Sequence, residues 1–266
     1  SDVCSSDLLV ADRAGIEVYQ PASLRDPQSQ AWLTAQQPDV ILVVAYGLMI
    51  PKHLLNLPTR GWLNLHFSLL PAWRGAAPVQ RALEAGDEIT GATVFRIEQG
   101  LDTGPVYGQV TCDISPTDNA GSLLSRLCDS GSDLLMAVLQ SLNTEELAPL
   151  PQDDSVATWA GRVSTDEARI DWNAPALAVN RKVRAFTPHP GAWTTLGETR
   201  VKLSGILQVM HERTLDPGHL RIERGQVLAG TGSVDLLLDV VQSAGKPAMA
   251  AADWARGLRE PAPVFI

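Results

Sequence analysis

Residues 61–104 read GWLNLHFSLLPAWRGAAPVQRALEAGDEITGATVFRIEQGLDTG. An apolar run (61–67) breaks into a loop carrying Pro71 and Gly75, a helical stretch follows at 77–85, and a second apolar run covers 91–97. Strand, helix and strand on so short a pitch predict crossover units around a mostly parallel sheet. The first run is an odd strand. Trp62, Asn64 and His66 alternate with Leu63 and Leu65 and so share one side of it. An amide and an imidazole on one side fit a site wall, where both can hydrogen-bond a single carbonyl oxygen as charge develops on it. Asp102, in the turn-like GLDTG, is the natural partner for a histidine that must stay oriented or change protonation. Each residue also has a plain reading: His66 as a satisfied core histidine, Asn64 as a polar group with local partners, Asp102 as a turn former.

Outward from this stretch the pattern repeats. Residues 39–46, DVILVVAY, form a continuous apolar run that predicts a strand buried on both faces. A helical stretch at 27–37 precedes it. Further strands are predicted at 91–97 and 105–110, and an amphipathic helix at 122–142. Residues 143–154, rich in Pro, Asn and acidic groups, begin a linker. From 191 to 239 short apolar runs (AWTTL, RVKLSGILQV, HLRI, QVLAG, SVDLLLDVV) are split by Gly, Pro and Asp, which favours a small barrel or sandwich. No internal repeat is visible.

The dense string of Asn64, His66, Ser68 to Pro71, Arg74, Gly75 and Asp102 resembles the signature of the folate-dependent formyltransferases. SLLPAWRGAAPVQRAL is most similar to the members that act on methionyl-tRNA. DEARIDWNAPALAVNRKVRAFTPHPGAW (166–193) and VQSAGKPAM (241–249) resemble the start and end of their second domain. The resemblance runs from about Ala11 onward. It implies an α/β fold: a Rossmann-like, mostly parallel catalytic domain (1–145), a linker (146–164) and an OB-like β-barrel C-terminal domain (165–266). It also implies transfer of a formyl group from 10-formyltetrahydrofolate to the amino group of methionyl-initiator tRNA, with tetrahydrofolate released. Asn64 and a protonated His66 would stabilise the oxyanion, and Asp102 would hold His66 charged and help move the proton. Ser68, Leu69, Leu70 and Pro71, with the backbone of 45–49, would form the pterin slot. Leu69 and Leu70 read equally well as core. Arg74 would contact an anion or brace its loop through a carboxylate. Arg181, Lys182, Arg184, Arg200 and Lys202 are candidate tRNA contacts, with a solvated face as the alternative. The front departs from the family, which opens with a strand, a Gly-rich turn, a helix and a second strand. SDVCSSDL lacks Met and any clear element, so an N-terminal truncation is expected.

Composition fits this frame. A chain of 266 residues, 45% hydrophobic, suits one large or two modest domains. No apolar run reaches membrane-spanning length, and no signal-like N-terminus is present. Three cysteines without metal-ligand spacing predict free thiols in a reducing compartment, hence a cytoplasmic protein, read as a monomer. Five histidines without an HExxH pair predict no metal site. Neither Ser68 nor a Cys has a base arranged for nucleophilic catalysis. Residues 1–150 carry 8 basic against 17 acidic groups and 151–266 carry 13 against 13, so only a local patch could attract RNA phosphates. A formyltransferase for a small amine, and a non-catalytic folate- or RNA-binding remnant, remain open alternatives.

Overall fold

The computed structural model describes residues 3–142, 147–258 and 263–266, with side chains from residue 8. Residues 143–146, where the linker was expected to begin, and Cys4 lie outside the described positions and side chains. The chain divides into two compact units, Ser1–Leu63 and Asn64–Ile266.

The first unit opens with α1 (Val3–Arg13). No element was expected over the first eight residues, yet no Gly or Pro interrupts the chain before Gly15. Gly15 (φ +66°) closes the helix, with Ile16 N–H donating to Ala11 O at 2.9 Å. Helix α2 (Pro27–Ala35) is capped by Asp26, whose carboxylate accepts from Ser29 N–H at 3.2 Å, and has Pro27 in its first turn. Strand β1 (Ile41–Val44) follows, then a 3-10 turn (Lys52–Leu54) and the start of β2 (Trp62–His66). Trp62 Nε1 donates to Leu54 O at 2.8 Å, and Tyr19 stacks on Trp32 with centroids 4.6 Å apart. The expectation that 39–46 is buried on both faces fails. Val43 is buried, but Leu42 and Val44 are 40% and 49% exposed. Strand β1 is the last in its sheet order and, among the described residues, has a neighbour on one side only.

The second unit continues with β3 (Arg74–Gly75), α3 (Pro78–Ala85), β4 (Ile89–Arg96), β5 (Val106–Asp113) and α4 (Ala120–Leu142). Strands β2 and β4 are sheet neighbours joined through α3, the crossover that parallel neighbours require, whereas β4 and β5 pair antiparallel. Helix α4 buries Leu123, Leu127, Gly131, Leu135 and Val138 at helical spacing. Gly131 is needed there because a Cβ would sit 3.0 Å from Leu65 Cδ1.

After the connecting segment come β6 (Trp159–Ala160), α5 (Ala176–Phe186), β7 (Ala192–Leu196), β8 (Thr199–Leu203), β9 (Ile206–Val209), β10 (Leu220–Glu223), β11 (Gln226–Ala229), β12 (Leu236–Leu238), β13 (Val240–Ser243), β14 (Met249–Ala250) and α6 (Ala251–Ala255). The C-terminal strands are antiparallel. Among the described residues they form two sheets, β10-β11-β12-β9 and β14-β13-β8-β7, instead of one closed barrel. The corner lies where β12 runs into β13 through Asp239, beside a register shift at Leu237/Leu238. Gly205 packs there 2.8 Å from Asp239 Oδ2, measured from the position a Cβ would take.

One core runs through this unit. Val79 and Leu83 of α3, Leu123 and Leu127 of α4, Val179, Val183 and Phe186 of α5, and Val201, Leu203, Leu236 and Val241 of the sheets belong to a single cluster. Burying side chains of this size stabilises by roughly 1.5–3 kcal/mol each before conformational entropy is counted. Cys112 and Cys128 are free thiols, and no described helix is long and apolar enough to cross a membrane.

Candidate active site

Strand β2 ends at His66, which is 6% exposed. Its Nε2 lies 2.9 Å from Trp73 O. A carbonyl only accepts, so Nε2 carries the proton. That leaves Nδ1 facing Asp102 Oδ2 at 3.8 Å, close enough for attraction but beyond a hydrogen bond. The Phe95 ring meets the imidazole edge-on at 6.3 Å. Burial pushes the His66 pKa down, and the opposing pull of Asp102 and the Trp73 carbonyl does not restore it. A shift downward from 6.5 favours the neutral ring at neutral pH over the protonated His66 that the resemblance implies, because desolvation outweighs a carboxylate at this distance.

Two residues N-terminal, the half-buried Asn64 side chain makes no hydrogen bond to any described residue. A free amide beside a buried imidazole can accept a new oxygen without first breaking a bond. Asp102 holds the left-handed conformation (φ +54°) that Asp tolerates better than most residues. Its Oδ2 accepts from Gly75 N–H at 2.8 Å. Gly75 itself is obligatory: at φ +127° it presses on the carbonyl of Ala160, leaving no space for a Cβ.

The loop 68–71 is braced at its backbone. Ser68 Oγ, fully buried, donates to Ala72 O at 2.6 Å. Thr93 Oγ1 donates to Ser68 O at 2.6 Å and accepts from Leu70 N–H at 3.1 Å, while Gln109 Nε2 donates to Leu70 O at 2.8 Å. The Leu70–Pro71 peptide is cis. Leu70 is buried and Leu69 packs over Gly91. The loop thus has a fixed course, with Leu69 and Pro71 only half-buried.

Arg74 is 3% exposed and turned inward. Its Nε and Nη2 donate to Gln152 Oε1 at 3.0 and 2.8 Å, and Nη2 reaches Asp154 Oδ1 at 2.7 Å. Of its two expected roles the geometry has the bracing one. The connecting segment supplies more: β6 pairs parallel with β3, Thr158 Oγ1 accepts from Trp73 N–H at 2.8 Å, and Thr158 N–H donates to Pro71 O at 3.2 Å. Nothing in the sequence near 152–160 marks these contacts. Gln152, Asp154 and Thr158 lie 78 to 85 residues from the loop they hold.

The five basic candidates lie on α5 and β8. Arg181 Nη1 donates to Ala85 O at 3.2 Å, Lys182 Nζ donates to Glu167 O at 2.8 Å and lies 3.8 Å from Glu84 Oε1 of α3, and Arg184 Nη1 donates to Asp118 O at 3.0 Å, so all three face α3 and the start of α4. Arg200 lies over the Trp193 ring at 3.6 Å and Lys202 donates to Pro190 O at 2.9 Å. Among the described residues no group of three His, Cys, Asp or Glu side chains could hold a metal ion.

The model of the formyl transferase family matches residues 4–139, and that of the formyl transferase C-terminal domain matches residues 162–259. A methionyl-tRNA formyltransferase of Salinispora tropica is 51% identical over 249 residues, covering 94% of this chain and 81% of that protein. Among solved structures, HypX from Aquifex aeolicus in complex with tetrahydrofolic acid superposes with a TM-score of 0.67 at 19% identity, over 84% of this chain and 39% of that one. The methionyl-tRNA formyltransferase from Clostridium thermocellum gives 0.54 at 19% identity, over 77% and 80% of the two chains.

Proposed function

The chain belongs to the formyl transferase family, and on that footing we propose that it transfers the formyl group of 10-formyltetrahydrofolate to the amino group of methionyl-initiator tRNA, for translation initiation. The observation that carries the chemistry is the pairing on β2: an uncommitted amide at Asn64 and a buried His66 facing Asp102. The amine nitrogen attacks the formyl carbon, and the formyl oxygen takes up the negative charge. Asn64 donates its amide N–H to that oxygen. His66 Nδ1, unprotonated at rest, takes the proton that the attacking nitrogen sheds. Asp102 offsets the positive charge as the ring protonates, and the proton then passes to N10 as its bond to the formyl carbon breaks. No covalent enzyme intermediate is required.

The pterin is placed on the 68–71 loop, whose backbone is held in advance by Thr93 and Gln109. Catalysis belongs to residues 1–145, followed by a linker (146–164) and a tRNA-binding C-terminal domain (165–266). The matched family segments support that division. For tRNA, Arg200 and Lys202 bond to a ring and a neutral carbonyl and make no salt bridge among the described residues, so their charge stays available to phosphates, whereas Arg181 and Arg184 are turned towards α3 and the start of α4. The protein acts as a cytoplasmic monomer.

The test is formyl transfer with purified protein. His66→Ala and Asn64→Ala should each lower turnover about a hundredfold or more. Folate affinity should stay within a few-fold, because both groups serve charge that exists mainly in the transition state. Near-parental turnover in either variant would remove that residue from the reaction.

A further inference from the structure

One side chain outside the 61–104 stretch bonds both to Arg74 and to the turn that carries Asp102. Gln152, half-buried in the connecting segment, uses its full hydrogen-bonding capacity there. Its Oε1 accepts twice from Arg74, at 3.0 and 2.8 Å. Its Nε2 donates to Asp102 O at 2.8 Å and to Gly104 O at 2.7 Å. Two lone pairs and two N–H groups are all satisfied. The orientation is unambiguous, since a flipped amide would set N–H groups against a guanidinium and its oxygen against two carbonyls.

The consequence is a closed ring of contacts. Gln152 grips Arg74, and the next residue, Gly75, donates its N–H to Asp102 Oδ2. Gln152 also grips the carbonyls of Asp102 and Gly104, the turn in which Asp102 is held left-handed. The carboxylate is thereby fixed by its side chain from β3 and by its backbone from the connecting segment. Arg74 is anchored a second time by Asp154 at 2.7 Å, but Asp154 is 79% exposed and touches no part of the turn.

We propose that Gln152 is the positioning residue of the catalytic turn, holding Asp102 at its distance from His66 and making the connecting segment part of the site. It does not touch the reacting atoms; it acts through Asp102. Asp102 is the charged group whose field reaches His66, while Arg74 and Asp154 face each other across the loop. The catalytic consequence rests on the function proposed above, and the positional one does not.

Two measurements on the full chain test it. The first follows His66 by NMR titration of the imidazole in the parental protein and in Gln152→Met, which keeps length and removes all four hydrogen bonds. A released turn should let Asp102 withdraw, and the His66 midpoint should move to lower pH as its supporting anion weakens. Gln152→Asn, which keeps the amide one methylene short, should move it less and covers the case in which the Met variant does not fold. The second is single-turnover formyl transfer. Gln152→Met should lose about 10- to 100-fold in rate with folate KM within a few-fold. In an Asp102→Asn background the same change should cost little further, because both act through one carboxylate. An unmoved His66 midpoint, or a rate loss that simply multiplies with that of Asp102→Asn, overturns the proposal. A midpoint moved by Gln152→Met, together with a parental protein that transfers no formyl group, would sink the functional reading and leave the positioning role standing.

Discussion

His66 decides how this site works, and its protonation follows from two competing influences. Burial lowers its pKa and Asp102 raises it, with burial ahead. A neutral ring that must take a proton gives a rate that rises with pH through the His66 pKa. Asp102→Asn removes the raising influence, so that limb should shift to lower pH while turnover falls. An Asp102 that only shapes its turn predicts an unmoved limb and a modest stability loss. The same group bears on stability. Its folded-state pKa lies below the unfolded 6.5, so the unfolded chain binds more protons as the medium acidifies. The contribution of a neutral His66 is intact above that value and is lost as pH falls towards the folded pKa. His66→Gln should flatten that acid-side decline in melting temperature, and an unchanged slope would contradict the assignment.

At the scale of elements, α5 ties α3 and α4 to the C-terminal sheets. Its Arg181, Lys182 and Arg184 are expected either to contact tRNA or to form a solvated face, yet Val179, Val183 and Phe186 beside them join a core that also holds Leu83 of α3 and Leu127 of α4. Polar contacts follow the same seam: Arg81 pairs with Glu167 at 2.5 Å, and Arg184 bonds to Asp118 O. The ion pair is 17% and 35% exposed, so it is worth no more than about 1 kcal/mol. The apolar contacts dominate. Leu127→Ala should destabilise by about 2–5 kcal/mol. Because the core is shared, it should lower one transition monitored both at Trp193 in β7 and at Trp73 beside the site. Two separate transitions, with only one displaced, would show that the two halves of this unit melt apart.

For the whole molecule, net charge is a poor guide to its partner. The chain carries −9 overall, but the acid excess sits in residues 1–150. Arg200 and Lys202, on β8, keep charges that no carboxylate among the described residues neutralises. If they meet tRNA phosphates, Arg200→Ala and Lys202→Ala should raise KM for the tRNA and leave KM for folate alone. Each should also reduce the steepness of the salt dependence by roughly one unit of log-log slope. Equal salt slopes in parent and variants would place the RNA elsewhere.

The amino-acid sequence by itself determined the main elements between residues 27 and 142 and the split β pattern after 191, though it marked neither α1 nor α5, because apolar periodicity and turn residues act within a few positions. Asn64 and His66 on one strand, the 77–85 helix and the split β runs after 191 were all legible in this way. The family and its chemistry were legible too, since that signature is packed into 41 residues from Asn64 to Gly104. Three things were decided only in the tertiary structure. The resting charge of His66 depends on how much water burial removes. Arg74 could reach either an anion or a carboxylate until folding placed Gln152 and Asp154 beside it. The basic residues of α5 could face solvent or protein until α3 and α4 packed against them. Each is a contact across tens of residues, and such contacts leave no local pattern because chain topology, not neighbouring sequence, brings the partners together.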